Sequence, residues 1–239
     1  MSSLAPKALI SGSRSGLGKA FADLLEAKGY TVIRTSSKEV DLSVSRQPLL
    51  DLIEKEKPDL LVNNAGIGFY GPSIDLSIEE QLNIIEINQN ALVELSLKAA
   101  KTLRAAGKPG IIFNISSAAA FISLPNSNVY AASKAFVNSF SLGLNTELKP
   151  HNIHVLCACP GQIATNFRTR AGKGHLQKPD RRTMSPEKAA QHLYKQLLSK
   201  KPLYIFDWRT KLFLWIAKLI PRNLLHWILK KSIQKRVSP

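Results

Sequence analysis

Short apolar runs alternate along this chain with stretches in which apolar residues recur every three or four positions. The first pattern is that of buried strands and the second that of helices carrying one apolar face. Lys7–Ser11 (KALIS) reads as a strand, and Leu17–Gly29 as a helix closed by Gly29. Tyr30–Ser36 (YTVIRTS) is a second strand, followed by a helix over Ser45–Glu56. Pro58–Gly66 (PDLLVNNAG) is a strand running into a loop, and Ser77–Gly107 is one long helix stopped by glycine. Gly110–Ser117 (GIIFNISS) and Ile153–Gly161 (IHVLCACPG) are strands on either side of a helix over Asn128–Pro150. After an irregular basic segment, Ser185–Lys200 opens with a Ser-Pro cap and leads into the strand Pro202–Phe206. Apolar runs without alternation are strands covered on both faces, and βα alternation makes them parallel. The expected fold is α/β: a doubly wound parallel sheet of six or seven strands, of the Rossmann type.

The pattern changes near the C-terminus. Leu212–Ile220 and Leu224–Ile233 are two apolar runs split by Pro221, with Lys218, Arg222, Asn223 and His226 interrupting them. A bilayer crossing takes about twenty apolar residues, so this stretch does not span. Leu224, Leu225 and Ile228 share one helical face, and Trp208, Trp215 and Trp227 lie among flanking lysines. Helices of that kind lie on a lipid interface. The competing reading packs them on the protein's own core or on a second subunit; in either case the tail forms an apolar mouth to the cleft. The expected organisation is a domain over residues 1–206 and an amphipathic helical appendix over 207–239.

Length and composition fit this picture. A chain of 239 residues, 44% hydrophobic and 21% charged, is globular and long enough for one α/β domain. The net charge of +16 is partly local, with ten Lys and Arg against Asp207 alone from Lys200 onward. A second basic cluster spans Arg168–Arg182. Such charge attracts anionic lipid, an acidic partner or nucleic acid, and no module that frames bases accompanies it, so nucleic acid is not expected. Cys157 and Cys159, two apart on a strand, suit neither a disulfide nor a zinc site, which points to reduced thiols and a cytoplasmic setting. The five histidines have no metal-ligand spacing, so no metal is expected. The N-terminus lacks the pattern of a secretory signal.

The chemistry-bearing motifs fall at the ends of the expected strands. SGSRSGLG, with Gly12, Gly16 and Gly18, joins the first strand to the first helix, where the backbone must turn sharply and expose helix N–H groups to a pyrophosphate. Tyr130 and Lys134, four apart on a helix, project from one face and share a cleft. A free tyrosine titrates at about 10, and an adjacent ammonium favours its phenolate. On its own such a pair is ordinarily a solvated helix face; in a cleft beside a cationic cofactor, Tyr130 is expected to have a lowered pKa and to act as proton donor or acceptor to a carbonyl and its alcohol.

The Gly-x3-Gly-x-Gly spacing, NNAG at Asn63–Gly66, Ser117 thirteen positions before Tyr130, Lys134, Asn88 in the long helix and PGQIAT at Pro160–Thr165 together resemble the short-chain dehydrogenase/reductase family over residues 5–206. The resemblance implies a catalytic set of Ser117, Tyr130, Lys134 and Asn88. Ser117 would polarise the carbonyl, Lys134 would hold the ribose hydroxyls, and Asn88 would anchor a water that returns a proton to Tyr130. It implies cofactor contacts from Gly12, Arg14, Ser15, Gly16, Leu17 and Gly18 in the turn, and from Asn64, Ala65 and Gly66. Asp41, beside Leu42, would contact the adenine. Pro160 and Gly161 lead to Ile163 and Thr165, which would hold the nicotinamide carboxamide. A homodimer through the two long helices is the family's usual assembly.

Cofactor choice turns on the end of the second strand. NAD calls for a carboxylate there, and NADP for space and positive charge. Ser36 stands at that position, followed by Ser37 and Lys38, while Arg14 lies in the glycine turn where NADP-preferring members of the family carry a base. NADPH is therefore expected over NAD, with Glu39 the nearby carboxylate that opposes this reading. The expected function is reduction of a small lipophilic ketone or aldehyde near a membrane surface, or the reverse. The alternatives are a soluble reductase of 3-oxoacyl thioesters on an acyl carrier protein, with the basic loop meeting the acidic carrier, and a non-catalytic NADPH sensor. Family members that act on such carriers end with a DGG-like stretch, which YIFDWRTKLF replaces here.

Overall fold

The computed structural model describes residues 5–172, 183–217, 219–221 and 224. Six strands form one parallel sheet in the order β2-β1-β3-β4-β5-β6. They are β1 (Lys7–Ile10), β2 (Thr31–Arg34), β3 (Leu60–Asn63), β4 (Gly110–Ile115), β5 (Ile153–Cys159) and β6 (Leu203–Ile205). The helices are α1 (Gly16–Ala27), α2 (Gln47–Glu56), α3 (Ile78–Ile85), α4 (Leu92–Ala105), α5 (Asn128–Leu148), α6 (Asn166–Ala171), α7 (Pro186–Ser199) and α8 (Trp208–Ala217). This is the doubly wound Rossmann arrangement.

Register explains how both faces are covered. Leu9, Leu61, Ile112 and Val155 lie side by side across four strands, and the next row is Ile10, Val62, Phe113 and Leu156. Successive residues of a strand point to opposite faces. The first row accordingly packs on Leu49, Ile53, Leu95, Leu103 and Leu144 of α2, α4 and α5. The second packs on Phe21 and Leu25 of α1 and Leu193 and Leu197 of α7. A continuous apolar run therefore supplies both layers of core. Cys157 and Cys159 are free and buried within it.

Helix ends follow local chemistry. Ser185 Oγ accepts from Lys188 N at 3.2 Å with Pro186 in the first turn, as the Ser-Pro cap requires. Ser77 and Glu80 form a reciprocal capping box at the start of α3. The single helix expected over Ser77–Gly107 is interrupted: a π-helical turn, Glu86–Ala91, separates α3 from α4. Insertions of this kind re-aim side chains, and this one turns the buried Asn88 onto the backbone of Ile67.

The tail departs from its expected amphipathic form. In α8 only Leu214 and Ala217 are buried, and Ala217 packs on Ile122, Leu124 and Ile220. Trp208, Leu212, Phe213, Trp215 and Ile216 are exposed, so apolar residues lie on the outward as well as the buried side of α8. Among the described residues no helix is long and apolar enough to cross a membrane. The second apolar run, apart from Leu224, and Lys173, Lys178, Arg181 and Arg182 of the basic loop lie outside the described residues.

Candidate active site

The C-terminal ends of the parallel strands open into a cleft of about 1350 Å³. Its floor is two loops sewn together. Ser11 Oγ accepts from the amides of Asn64 and Ala65, each at 3.1 Å, and Asn64 Nδ2 donates to the carbonyls of Ser11 and Gly12. Gly12 turns through φ +67°, and a Cβ on Gly18 would stand 2.3 Å from the Gly12 carbonyl oxygen and 2.4 Å from Asn64 Nδ2. Only glycine fits there. Ser15, the N-cap of α1, makes no side-chain cap, so the first N–H groups of α1 face the cleft without a capping oxygen from Ser15. Glycine cradle and uncapped helix start are the features a pyrophosphate needs, and the residues present fit a dinucleotide.

Across the cleft, Ser117 follows β4 and Tyr130 lies in the first turn of α5. The Ser117 hydroxyl lies close enough to Tyr130 to favour its phenolate, and its Oγ accepts from Ala119 N at 3.1 Å. Lys134 is buried, with Nζ donating to the Ile115 carbonyl at 2.9 Å and lying 5.9 Å from the centre of the Tyr130 ring. A Cβ on Gly66 would stand 3.1 Å from Asn88 Oδ1 and 3.4 Å from Lys134 Nζ, so that glycine leaves room for both.

The electrostatics correct one expectation. Burial pushes the Tyr130 phenol up, the Ser117 hydroxyl opposes this, and nearby Tyr70 adds to it. Burial also lowers the Lys134 amine to about 8. The lowering of Tyr130 expected from Lys134 and a bound nicotinamide is not found in the protein alone, because burial dominates the phenol and Lys134 adds no attraction that offsets it.

Asn88 has a structural part that the sequence did not show. Its Oδ1 accepts from Ile67 N at 2.9 Å, while Nδ2 donates to Ile67 O at 2.9 Å and to Ser133 Oγ at 3.0 Å. Ser133 Oγ in turn donates to the Tyr130 carbonyl at 2.8 Å. The side chain is a tie between the NNAG loop and the Tyr130 turn, through Ile67 on one side and Ser133 on the other.

At the adenosine end, Arg14, Ser36, Ser37, Asp41 and Leu42 line the cleft, and Lys38 does not. The Lys38 side chain is exposed, and its amide donates to Ser36 Oγ at 3.3 Å. Asp41 Oδ1 accepts from the amide and hydroxyl of Ser43, which hold its carboxyl below the usual range. At the other end, Thr165 abuts Gly16, and Ile163 is bridged to Met184. Pro160 and Gly161 line the same wall.

Sequence reasoning missed the substrate side. Phe167 packs on Tyr130 with ring centres 5.6 Å apart, and Gly68 passes so close that a Cβ would lie 2.8 Å from the Tyr130 ring. Tyr70, Ile122 and Leu124 join them, and α8 adds Leu212, Phe213 and Ile216, forming the apolar mouth expected of the tail. No periodic signal marks loop residues such as Tyr70 and Phe167.

The short chain dehydrogenase family model matches residues 52–175. This chain belongs to that family. It is accordingly an NAD(P)-dependent oxidoreductase. The L-xylulose reductase of Bos taurus is 31% identical over 176 residues, covering 66% of this chain and 72% of that one. A 3-ketodihydrosphingosine reductase of Bacteroides thetaiotaomicron is 33% identical over 175 residues, covering 66% of this chain and 64% of the relative. Among solved structures, a short-chain dehydrogenase from Sphingobium yanoikuyae in complex with NADPH superposes with a TM-score of 0.70 at 26% identity, covering 84% of this chain and 87% of that one.

Proposed function

We propose that this short-chain dehydrogenase uses NADPH to reduce a lipophilic ketone or aldehyde beside a lipid surface, or runs that reaction in reverse. The observation that carries the reading is one continuous cleft lined by the Arg14–Ser36 corner, by Ser117 and Tyr130, and by the apolar residues of α8. The relatives' names cover a sugar ketone and a lipid ketone, and the apolar lining favours the second.

NADP is the preferred nucleotide. Arg14, Ser36 and Ser37 line the adenosine end of the cleft, where they offer a cation and hydroxyls to a phosphate, and the Sphingobium relative was solved with NADPH. The turn from Gly12 to Gly18 and the start of α1 would hold the pyrophosphate. Asp41, Leu42 and Asn64–Gly66 would line the adenosine, Lys134 the ribose, and Ile163 and Thr165 the carboxamide. Once bound, the cofactor supplies the hydride. Ser117 hydrogen-bonds the substrate carbonyl oxygen, and Tyr130 donates the proton that oxygen takes up. Its raised pKa keeps the phenol protonated through the neutral range, the form that reduction requires. Asn88 is a positioning residue, holding the Ile67 backbone and the Tyr130 turn together.

The domain over residues 1–206 carries this chemistry, and residues 207–239 form the appendix that meets lipid. A homodimer through α4 and α5 is part of the reading, supported by Leu97, Phe136 and Leu142, which are large, apolar and exposed on those helices. Reduction of an anionic carrier-bound 3-oxoacyl thioester is the second reading, favoured by Arg168 and Arg170 at the cleft.

The test is NADPH oxidation by the full-length protein against hydrophobic ketones, aldehydes and 3-oxoacyl thioesters, with and without anionic liposomes. Turnover of a lipophilic carbonyl that rises with liposomes supports the first reading; turnover of thioesters alone, indifferent to lipid, replaces it with the second. Tyr130→Phe abolishes turnover of the substrate so found and leaves NADPH affinity within about threefold, and retained turnover sinks the acid/base assignment.

A further inference from the structure

At the corner expected to receive the 2′-phosphate of NADP, Arg14 and Ser36 are already bonded to a side chain of this protein. Glu39 places one carboxylate oxygen 2.5 Å from an Arg14 guanidinium nitrogen. Its other oxygen accepts from the Ser36 amide at 2.9 Å and from the Ser36 hydroxyl. The Glu39 amide closes the same turn by donating to the Ser36 carbonyl at 3.0 Å. Two of the groups that the NADP reading assigns to phosphate, Arg14 and Ser36, thus converge on one internal carboxylate. The Ser36 hydroxyl and then Arg14 hold the Glu39 carboxyl below its usual range, so it is anionic at neutral pH.

We infer that Glu39 is an internal competitor for the 2′-phosphate seat, a specificity-determining residue that moderates the preference for NADP over NAD; this rests on the NADP reading above. Carboxylate and phosphate suit the same guanidinium and amide donors. The phosphate wins because it carries a charge of about −1.5 to −2 and three acceptor oxygens. It must still displace Glu39 from Arg14 and Ser36, and it then faces a carboxylate of like sign. NAD meets no such competition, since its ribose hydroxyls can donate to Glu39 in place. Arg14 and Glu39 are both substantially exposed, so the exchange needs only side-chain rotation.

The test uses full-length protein and two fragments that lack the nicotinamide, 2′,5′-ADP and 5′-AMP, with affinities measured by calorimetry. Glu39→Gln keeps a hydrogen-bonding group of the same size and removes the charge. The expected result is a threefold or greater tightening of 2′,5′-ADP, with 5′-AMP changed less than twofold. Glu39→Ala, whose turn lacks the side-chain oxygens, tightens 2′,5′-ADP in the same direction. If both variants leave 2′,5′-ADP unchanged, weaken it, or tighten both fragments equally, the proposal is overturned. The cofactor reading is tested separately: wild-type protein binds 2′,5′-ADP more tightly than 5′-AMP, and Arg14→Ala removes the difference. A wild type without that preference overturns the NADP reading, and Glu39→Gln then decides the competitor proposal by whether it creates one.

Discussion

Lys134 has only 5% of its surface exposed, and burial lowers its amine from an ordinary 10.5 to about 8. Between those two values the unfolded chain binds more protons than the native protein at this site, so the site's contribution to stability rises with pH across that window. Below pH about 8 the unfavourable contribution is fully present, with an upper bound of about 3 kcal/mol. The melting-temperature difference between Lys134→Met and wild type therefore shifts in favour of wild type as pH goes from 8 to 10. A difference independent of pH overturns the assignment, and comparing the two proteins at each pH removes the effect of losing the hydrogen bond to Ile115. The spacing of Tyr130 and Lys134 was legible in the sequence because it follows from helical geometry. Their ionisation was not, because the walls that exclude water come from β4, Phe167 and the loop at Gly68, residues remote along the chain.

At the scale of elements, all six strands and α1, α2, α5 and α7 were legible, since each carries its own apolar periodicity and end signals. Gly29, Gly107 and the Ser185-Pro186 pair mark boundaries through local backbone chemistry that no distant residue needs to supply. The break between α3 and α4 was not legible. A π-helical turn keeps the apolar spacing nearly intact, and its stabilisation comes from Asn88 binding Ile67 and Ser133, which lie on other elements. Asn88→Ala removes three hydrogen bonds from a buried side chain and leaves the Ile67 amide without its acceptor, a loss of about 2–3 kcal/mol. The expected outcome is a lower urea midpoint together with loss of hydrogen-exchange protection at the Ile67 amide. Retained protection there means that the loop is held by other groups.

The whole molecule brings α8 over the loop beyond Ser117 and leaves most of its apolar surface outward. Trp215 and Leu219 are 63% and 69% exposed, and neither lines the cleft. In the membrane reading these side chains enter the lipid interface, where aromatic and aliphatic groups beside lysines are favoured. Trp215→Lys with Leu219→Lys is expected to reduce co-sedimentation with anionic liposomes severalfold, with turnover of a short water-soluble ketone unchanged. Unaltered sedimentation overturns the membrane reading and makes α8 a cover for the cleft.

The sequence by itself determined the sheet, its helical layers, and the residues that meet at the strand ends, including Ser117, Tyr130 and the Gly12–Gly18 turn. The sheet, its layers and the glycine turn follow from periodicity, backbone conformation and chain order, which are properties of short stretches, while Ser117 and Tyr130 were placed by the family resemblance. Only the tertiary structure decided that Asn88 ties Ile67 to the Tyr130 turn, that burial raises Tyr130, that Glu39 pairs with Arg14 and Ser36, and that Phe167 and Gly68 close on the Tyr130 ring. Each depends on which groups from separate elements share one dry or charged space, and that is set by packing.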